Sequence, residues 1–71
     1  MKFSGKKLKM AIVEKGITQR KFAKDLKLSN NYISIIVRNR RTPSLKLLIC
    51  FAKFLNKDMN YFFEGDYNEN N

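Results

Sequence analysis

The 71-residue sequence predicts a small all-α domain. Three observations carry this prediction: apolar residues recur at helical spacing, residues that favour helix ends separate the segments, and no alternating apolar and polar run is long enough for a strand. We therefore expect five short helices. A chain of this length buries only about 60% of the surface that its unfolded form exposes, so contact with a second protein would stabilise it.

The first two helices are predicted from their apolar faces and their ends. Helix 1 is expected over residues 4–15, and Gly16 is suited to the left-handed conformation that ends a helix. Thr18 is a suitable N-cap for helix 2, which is expected over residues 19–26. The residues predicted to face the core are Leu8, Ala11 and Ile12 in helix 1 and Phe22, Ala23 and Leu26 in helix 2.

The helical spacing of apolar residues begins again three residues after helix 2, in a third helix. Ser29 is its expected N-cap, and Asn39 is the residue expected to end it in the left-handed conformation. Two helices joined by so short a turn can cross steeply only where the crossing residue is small, and Ala23 meets that requirement, with Ile33 and Ile36 as its apolar partners.

The last two helices follow a basic loop over residues 40–43. Ser44, after Pro43, begins helix 4, which is expected to end at Asn56. Asp58 is expected to cap a short fifth helix that runs to about residue 63, and a polar tail follows. The predicted core face of helix 4 consists of Leu45, Leu48, Phe51, Ala52 and Leu55.

The charge is distributed unevenly along the chain. Residues 1–57 contain all 15 Lys and Arg residues and only two acids, Glu14 and Asp25, for a net charge of +13, whereas residues 58–71 carry four acids and a net charge of −4. Such a basic body suggests a polyanionic partner, although a basic surface also favours solubility. RNA would also satisfy this charge, but the sequence shows no aromatic pattern of an RNA-binding module.

Composition also restricts the other possible functions. The chain has no histidine and a single cysteine, Cys50, so we expect no metal, no cofactor and no disulfide, and a cytoplasmic location. It has neither a signal-peptide pattern nor an apolar run of membrane-spanning length, so we expect no membrane association. Without a histidine, a glycine-rich loop or paired acids in the basic body, we expect no enzyme.

An ordered set of residues across positions 6–64 resembles the Cro/repressor helix-turn-helix family, also called the xenobiotic-response-element family. The set is Gly16-Ile17-Thr18-Gln19, Ala23, Ile33, Pro43-Ser44 and Phe62-Phe63. The resemblance implies a lambda-repressor-like domain over residues 1–65, with residues 66–71 as a tail. It also implies that helix 3 enters the major groove of DNA while helix 2 lies across the backbone.

The resemblance places the DNA contacts on and around helix 3. The residues expected to read bases are Asn30, Asn31, Ser34 and Ile35. Asparagine can bond adenine through two atoms, and isoleucine can pack on a thymine methyl group, although asparagine also simply favours helix starts. Gln19 is expected to bond a phosphate and to brace Asn30. The other expected phosphate contacts are Arg20, Tyr32, Arg38, Arg40 and Arg41.

The chain departs from the family pattern at three places. Lys27 stands in the turn where glycine is common, and Asn39 stands where many members have glycine after helix 3. Lys27 would need either the left-handed conformation or a slightly different turn, whereas Asn39 tolerates the left-handed conformation. Many members also pair an arginine late in helix 1 with a glutamate late in helix 3, whereas this chain has Ile12 and Val37 there. We expect a hydrophobic contact in place of the ion pair.

Helix 4 is apolar nearly all round, which suggests that it is buried on two sides. We expect a two-fold homodimer through Leu47, Cys50, Phe54 and Tyr61, with two helices 3 about 34 Å apart and an inverted-repeat operator. The expected function is sequence-specific binding of double-stranded DNA by a small repressor. The alternative is an antitoxin or antirepressor, in which the same scaffold binds a protein partner.

Overall fold

The computed structural model describes residues 2–65, which form four α-helices, a single turn of 3-10 helix and two very short strands. The predicted tail, residues 66–71, lies outside the described residues. In chain order, the elements are β1 (Lys2–Phe3), α1 (Gly5–Glu14), α2 (Gln19–Asp25), α3 (Asn30–Val37), α4 (Leu45–Leu55), the 3-10 turn (Met59–Phe62) and β2 (Phe63–Glu64). The four predicted α-helices are present within one or two residues of their expected ends.

Each α-helix begins at a hydroxyl residue. The side-chain oxygen of the N-cap accepts a hydrogen bond from the backbone N–H three residues later, at 3.0 to 3.2 Å. These bonds satisfy N–H groups that have no partner within the helix. The N-caps are Ser4, Thr18, Ser29 and Ser44.

Each α-helix also ends in the same hydrogen-bonded arrangement. The N–H of a left-handed residue donates to the carbonyl three residues before it. The N–H of the next residue donates to the carbonyl five residues before that residue, which completes the Schellman motif. The four left-handed residues are Gly16, Lys27, Asn39 and Asn56, with φ of 82°, 60°, 64° and 58°. The left-handed conformation predicted for Asn39 is thus confirmed, and of the two alternatives at Lys27 the structure has the left-handed residue. Both turns form without glycine.

The prediction that no strand occurs is wrong. β1 and β2 pair antiparallel, with Lys2 opposite Glu64 and Phe3 opposite Phe63. Two-residue strands are too short to show alternation, and their partners lie about 60 positions apart, so sequence periodicity could not detect them. The same pairing takes Phe63 into an extended conformation, and the expected fifth helix is therefore only one 3-10 turn.

The core lies between α1, α2, α3 and α4 and is closed by the 3-10 turn. The side chains with essentially no exposure are Leu8, Ile12, Phe22, Ile33, Ile36, Phe51 and Phe62. Phe22 packs against both aromatic residues of α4, with ring centroids 5.3 Å from Phe51 and 5.6 Å from Phe54. These contacts fix α4 against α2.

One residue predicted to lie in the core does not. Leu45, the first residue of α4, is 66% exposed, whereas the other four residues of the predicted face are buried. Pro43, in the loop before the helix, is buried instead. Pro43 and Leu48 are therefore both buried, whereas the start of α4 between them projects into solvent.

Among residues 2–65, no helix is long and apolar enough to cross a membrane.

Candidate nucleic-acid interface

The α2 and α3 helices are held together by a tight connection through residues 26–29. The N–H of Leu28 donates to the carbonyl of Ala23 at 2.8 Å, which brings the start of α3 back onto α2. Ala23 is buried at this crossing, and Ile33 and Ile36 are buried on α3. The small side chain at the crossing and the left-handed Lys27 therefore produce the arrangement that the sequence predicts.

Burying Ile33 and Ile36 orients the opposite side of α3 toward solvent. Asn31 is exposed, and Asn30, Ser34 and Ile35 are half-buried. Ile35 is not among the half-buried residues that pack on the core, which leaves its side chain available for an outside contact. An α-helix about 10–12 Å across fits a major groove about 12 Å wide, so this face of α3 has the size and chemistry for reading bases.

Gln19 and Asn30 are joined by a side-chain hydrogen bond. The Nε2 atom of Gln19 donates to the Oδ1 atom of Asn30 at 3.3 Å, although the residues are 11 positions apart. Both side chains are half-buried, so the bond orients them before any ligand binds. The expected bracing of Asn30 by Gln19 is confirmed, and the Asn30 Nδ2 group stays available as a donor.

Arg38, Arg40 and Arg41 directly follow α3, and Arg20 stands next to Gln19 in the first turn of α2. All four arginines are exposed. The guanidinium carbon of Arg41 lies 5.7 Å from the centroid of the Tyr32 ring, which is a cation–π distance. Two of the residues expected to contact phosphate are therefore next to each other. Within residues 2–65 the ion pairs are Lys21 with Asp25 and Lys57 with Glu14, and neither involves an arginine. The cationic groups beside α3 are therefore free to bind an anion.

The four residues expected in a dimer interface do not share one groove. Leu47 and Cys50 line a groove of about 640 Å³, together with Leu28 and Tyr32. Tyr61 lines a separate groove of about 390 Å³ beside Met10 and Val13 of α1.

Phe54 and Tyr61 are also occupied within the chain. Phe54 is half-buried against Phe22, and the Lys15 ammonium lies 5.2 Å from its ring centroid. The Tyr61 ring packs edge-on against Phe62, with the Lys57 ammonium 4.6 Å from its centroid. The Lys57 side chain donates to Glu14 at 2.8 Å, and this hydrogen bond raises the pKa of Lys57. Of the four residues, only Cys50 is exposed.

Two exposed apolar residues of α1 were not predicted as an interaction surface. Met10 is 53% exposed and Val13 is 61% exposed. They lie three positions apart and away from the buried face formed by Leu8, Ala11 and Ile12. This spacing, which places two apolar residues on the outer side of a helix, is a sequence signal that could have identified them.

Comparison with known proteins identifies the family. Residues 8–62 match the family model described as helix-turn-helix, of the Cro/repressor type. Searches of curated proteins and of solved structures gave no significant match. The family match includes α2, the tight connection, α3 and α4, which are the elements that present the exposed face of α3. Since it covers more than half of the 71 residues, the chain belongs to the Cro/repressor-type helix-turn-helix family.

Proposed function

We propose that this protein is a small transcriptional repressor that binds an inverted-repeat operator in double-stranded DNA as a homodimer. Membership of the helix-turn-helix family supports DNA binding and transcription regulation. The repressor role, the operator symmetry and the dimer are the new parts of the proposal. A repressor needs only to occupy its operator, and a domain of this size is sufficient for that.

The observation that carries the proposal is the composition of the exposed face of α3. Asn31 is exposed beside a braced Asn30, and Ser34 and Ile35 follow on the outer side of the helix. Amide, hydroxyl and apolar groups are the types that distinguish base edges in the major groove. The surrounding arginines supply cations that bind phosphate without regard to sequence. Groups of both kinds are thus exposed or half-buried on α3 and on the segments next to it in the sequence or bonded to it.

Selection from a random pool of duplexes tests this proposal directly. The full chain should enrich one motif with two-fold symmetry and half-site centres about 10 base pairs apart, because two copies of α3 would lie about 34 Å apart. Binding to the recovered duplex should weaken steeply as salt increases, since phosphate contacts release counterions. Enrichment of no motif, or of an asymmetric single half-site, would contradict the operator part of the proposal.

Dimerisation is supported by the apolar groove beside α4. Leu28, Leu47 and Cys50 form its apolar part, and a monomer would leave that part in contact with water. The polar and aromatic residues around them are Lys27, Ser29, Tyr32, Ser44 and Lys46. A second copy of the chain that covers the groove would lie next to the start of α3. The dimer contact and the DNA contact would then be adjacent, so that dimerisation would set the separation of the two recognition helices.

A second candidate function is that of an antitoxin or antirepressor that binds a protein partner. The exposed Met10 and Val13, with Tyr61 beside them, favour it, because an apolar surface on α1 would be free even in a dimer formed through α4. The same chain could bind DNA and a partner at once. Replacing Val13 by Lys should abolish binding of such a partner and leave DNA affinity unchanged within about threefold, because Val13 lies on α1 outside the proposed DNA contacts.

A further inference from the structure

Asn39 makes a contact that its left-handed conformation alone does not require. Its Oδ1 atom accepts a hydrogen bond of 2.7 Å from the backbone N–H of Gly5, the first residue of α1. Gly5 lies 34 positions earlier in the chain. The first N–H groups of a helix have no partner within the helix, so this bond uses the free N–H at the start of α1 to hold the residue that ends α3.

The backbones of α1 and α3 meet at the same place. A Cβ atom on Gly5 would overlap the carbonyl oxygens of Ile36 and Val37 in the last turn of α3. The absence of a side chain at Gly5 therefore allows the start of α1 to rest directly on the end of α3. Both the hydrogen bond and the close packing connect the C-terminal end of the recognition helix to α1.

We propose that Asn39, through Gly5, is a positioning residue that sets the angle of α3 and thereby the discrimination between DNA sequences. This inference rests on the DNA-binding function proposed above. The N-terminal end of α3 is braced by the bond between Gln19 and Asn30, and its C-terminal end by the bond between Asn39 and Gly5.

Geometry explains why the distant end matters for reading. Asn30 and Asn39 are nine residues apart, which corresponds to about 14 Å along a helix. When the bond to Gly5 is lost, α3 would pivot on the end that Gln19 braces at Asn30. A tilt of about 10° would then move Ser34 and Ile35, which lie four and five residues along the helix, by roughly 1 Å, enough to weaken their contacts with bases. Phosphate contacts by long arginine side chains adapt to such a shift more easily, so affinity for random DNA should change less.

The chain supplies a matched control for this experiment. Asn56 ends α4 with the same left-handed conformation and the same motif, but its side chain makes no hydrogen bond to residues 2–65. Asn39→Gly and Asn56→Gly both retain a residue suited to positive φ. Only the first removes a bond between helices. Asn39→Asp keeps an acceptor oxygen at the same position.

Two measurements on the full chain separate the possible outcomes. The first is the ratio of affinities for the duplex recovered from the random pool and a scrambled duplex of equal length. It should fall about tenfold in Asn39→Gly and stay within about twofold in Asn56→Gly and Asn39→Asp. The second is amide hydrogen exchange without DNA, in which the Gly5 N–H should lose protection in Asn39→Gly and keep it in Asn39→Asp.

Several results would overturn the inference. Unchanged Gly5 exchange in Asn39→Gly would show that the bond does not form in solution. If the Gly5 N–H lost protection in Asn39→Gly but the affinity ratio stayed unchanged, the bond would have only a structural role. If the affinity ratio fell equally in Asn56→Gly, the effect would come from replacing any asparagine at a helix end and not from the bond to Gly5. If the native chain itself did not discriminate between the two duplexes, the proposed function would fail, and Gly5 exchange would still show whether the bond exists.

Discussion

Asn30 and Asn31 are neighbours in the sequence but have different environments on α3. Asn30 is half-buried and bonded to Gln19, whereas Asn31 is exposed and makes no side-chain hydrogen bond within residues 2–65. A braced amide loses little conformational entropy when it binds, and a free amide must be ordered by its ligand. Asn31 is therefore the cleaner position for testing a base contact, since its replacement disturbs no internal bond.

Replacing Asn31 by Ala should weaken binding to the preferred duplex by about 1–3 kcal/mol and binding to random DNA much less, because a lost base contact affects only the correct sequence. Titrations of both duplexes at one salt concentration would measure the two losses. Asn60→Ala provides the control, since Asn60 is an exposed asparagine outside α3. Equal losses on the two duplexes would show that Asn31 does not read a base.

At the scale of elements, the two ends of each α-helix are specified locally. A hydroxyl N-cap begins all four helices and a left-handed residue ends them, even where that residue is Lys27. A lysine in this conformation is less favourable than glycine by about 1 kcal/mol, so packing must support the turn. The buried Ala23 crossing and the bond from Leu28 provide that support.

The exposed start of α4 leads to a stability prediction. Leu45→Gln should change the free energy of unfolding by less than about 0.5 kcal/mol, because a 66% exposed side chain contributes little to the core. Leu48→Ala, three positions later, should destabilise the domain by about 2–5 kcal/mol, since Leu48 is buried. Urea denaturation of both variants would make the comparison. A large loss for Leu45→Gln would place that residue in an interface between copies.

The contact expected between Ile12 of α1 and Val37 of α3 is testable by a double-mutant cycle. Ile12 is fully buried and Val37 is half-buried against the core. Ile12→Arg alone should destabilise the domain by about 3–5 kcal/mol, because it buries an unpaired charge. Adding Val37→Glu should recover part of that loss if the side chains touch. Additive effects in urea denaturation would mean that they do not.

At the scale of the whole molecule, the net charge of +13 over residues 1–57 is a property of the surface. Lysines and arginines are exposed on every α-helix or beside it. The electrostatic field of the protein therefore attracts a polyanion from many directions. The arginines next to α3 differ from the other cations by their position beside the helix that we propose to read DNA. Position, and not charge, should therefore decide which cations contact phosphate.

Arg40→Ala should lower the dependence of log affinity on log salt by about one unit for every duplex tested, as expected for one lost phosphate contact. Lys53, an exposed cation on α4, is the matched control, and Lys53→Ala should leave the slope nearly unchanged. Affinity measured over a series of salt concentrations gives both slopes. Identical slopes for the two variants would indicate diffuse attraction without a defined phosphate contact at Arg40.

The proposed dimer is best tested at Cys50. Phe54 packs on Phe22, so replacing Phe54 would also disturb the core, whereas Cys50 is exposed in the groove beside α4. Cys50→Glu should give a folded monomer with weaker operator binding, because a charge would be buried in the interface. Sedimentation at micromolar concentration would report the oligomeric state. A Cys50→Glu variant that remained a dimer would locate the interface elsewhere, with Met10 and Val13 as the next candidates.

The sequence by itself determined the four α-helices, their capping residues, the Ala23 crossing and the bond between Gln19 and Asn30. These features depend on periodicity, on local hydrogen bonding or on a resemblance that spans nearly the whole chain. Local signals were sufficient because each helix end is completed by residues within five positions of it. The residues of the candidate DNA surface were named from the family resemblance, and their contacts with DNA stay a prediction.

Only the tertiary structure decided the pairing of β1 with β2, the exposure of Leu45 and the bond between Asn39 and Gly5. Each of these three features depends on residues that are distant in the sequence or on where the core ends. None of the three has a periodic signature in the sequence. Asn39 illustrates the difference. Its left-handed conformation follows from its place after a helix, but its partner 34 positions earlier follows from how α1 packs across α3. Packing between distant segments is a property of the folded chain as a whole, and so only the structure could reveal this contact.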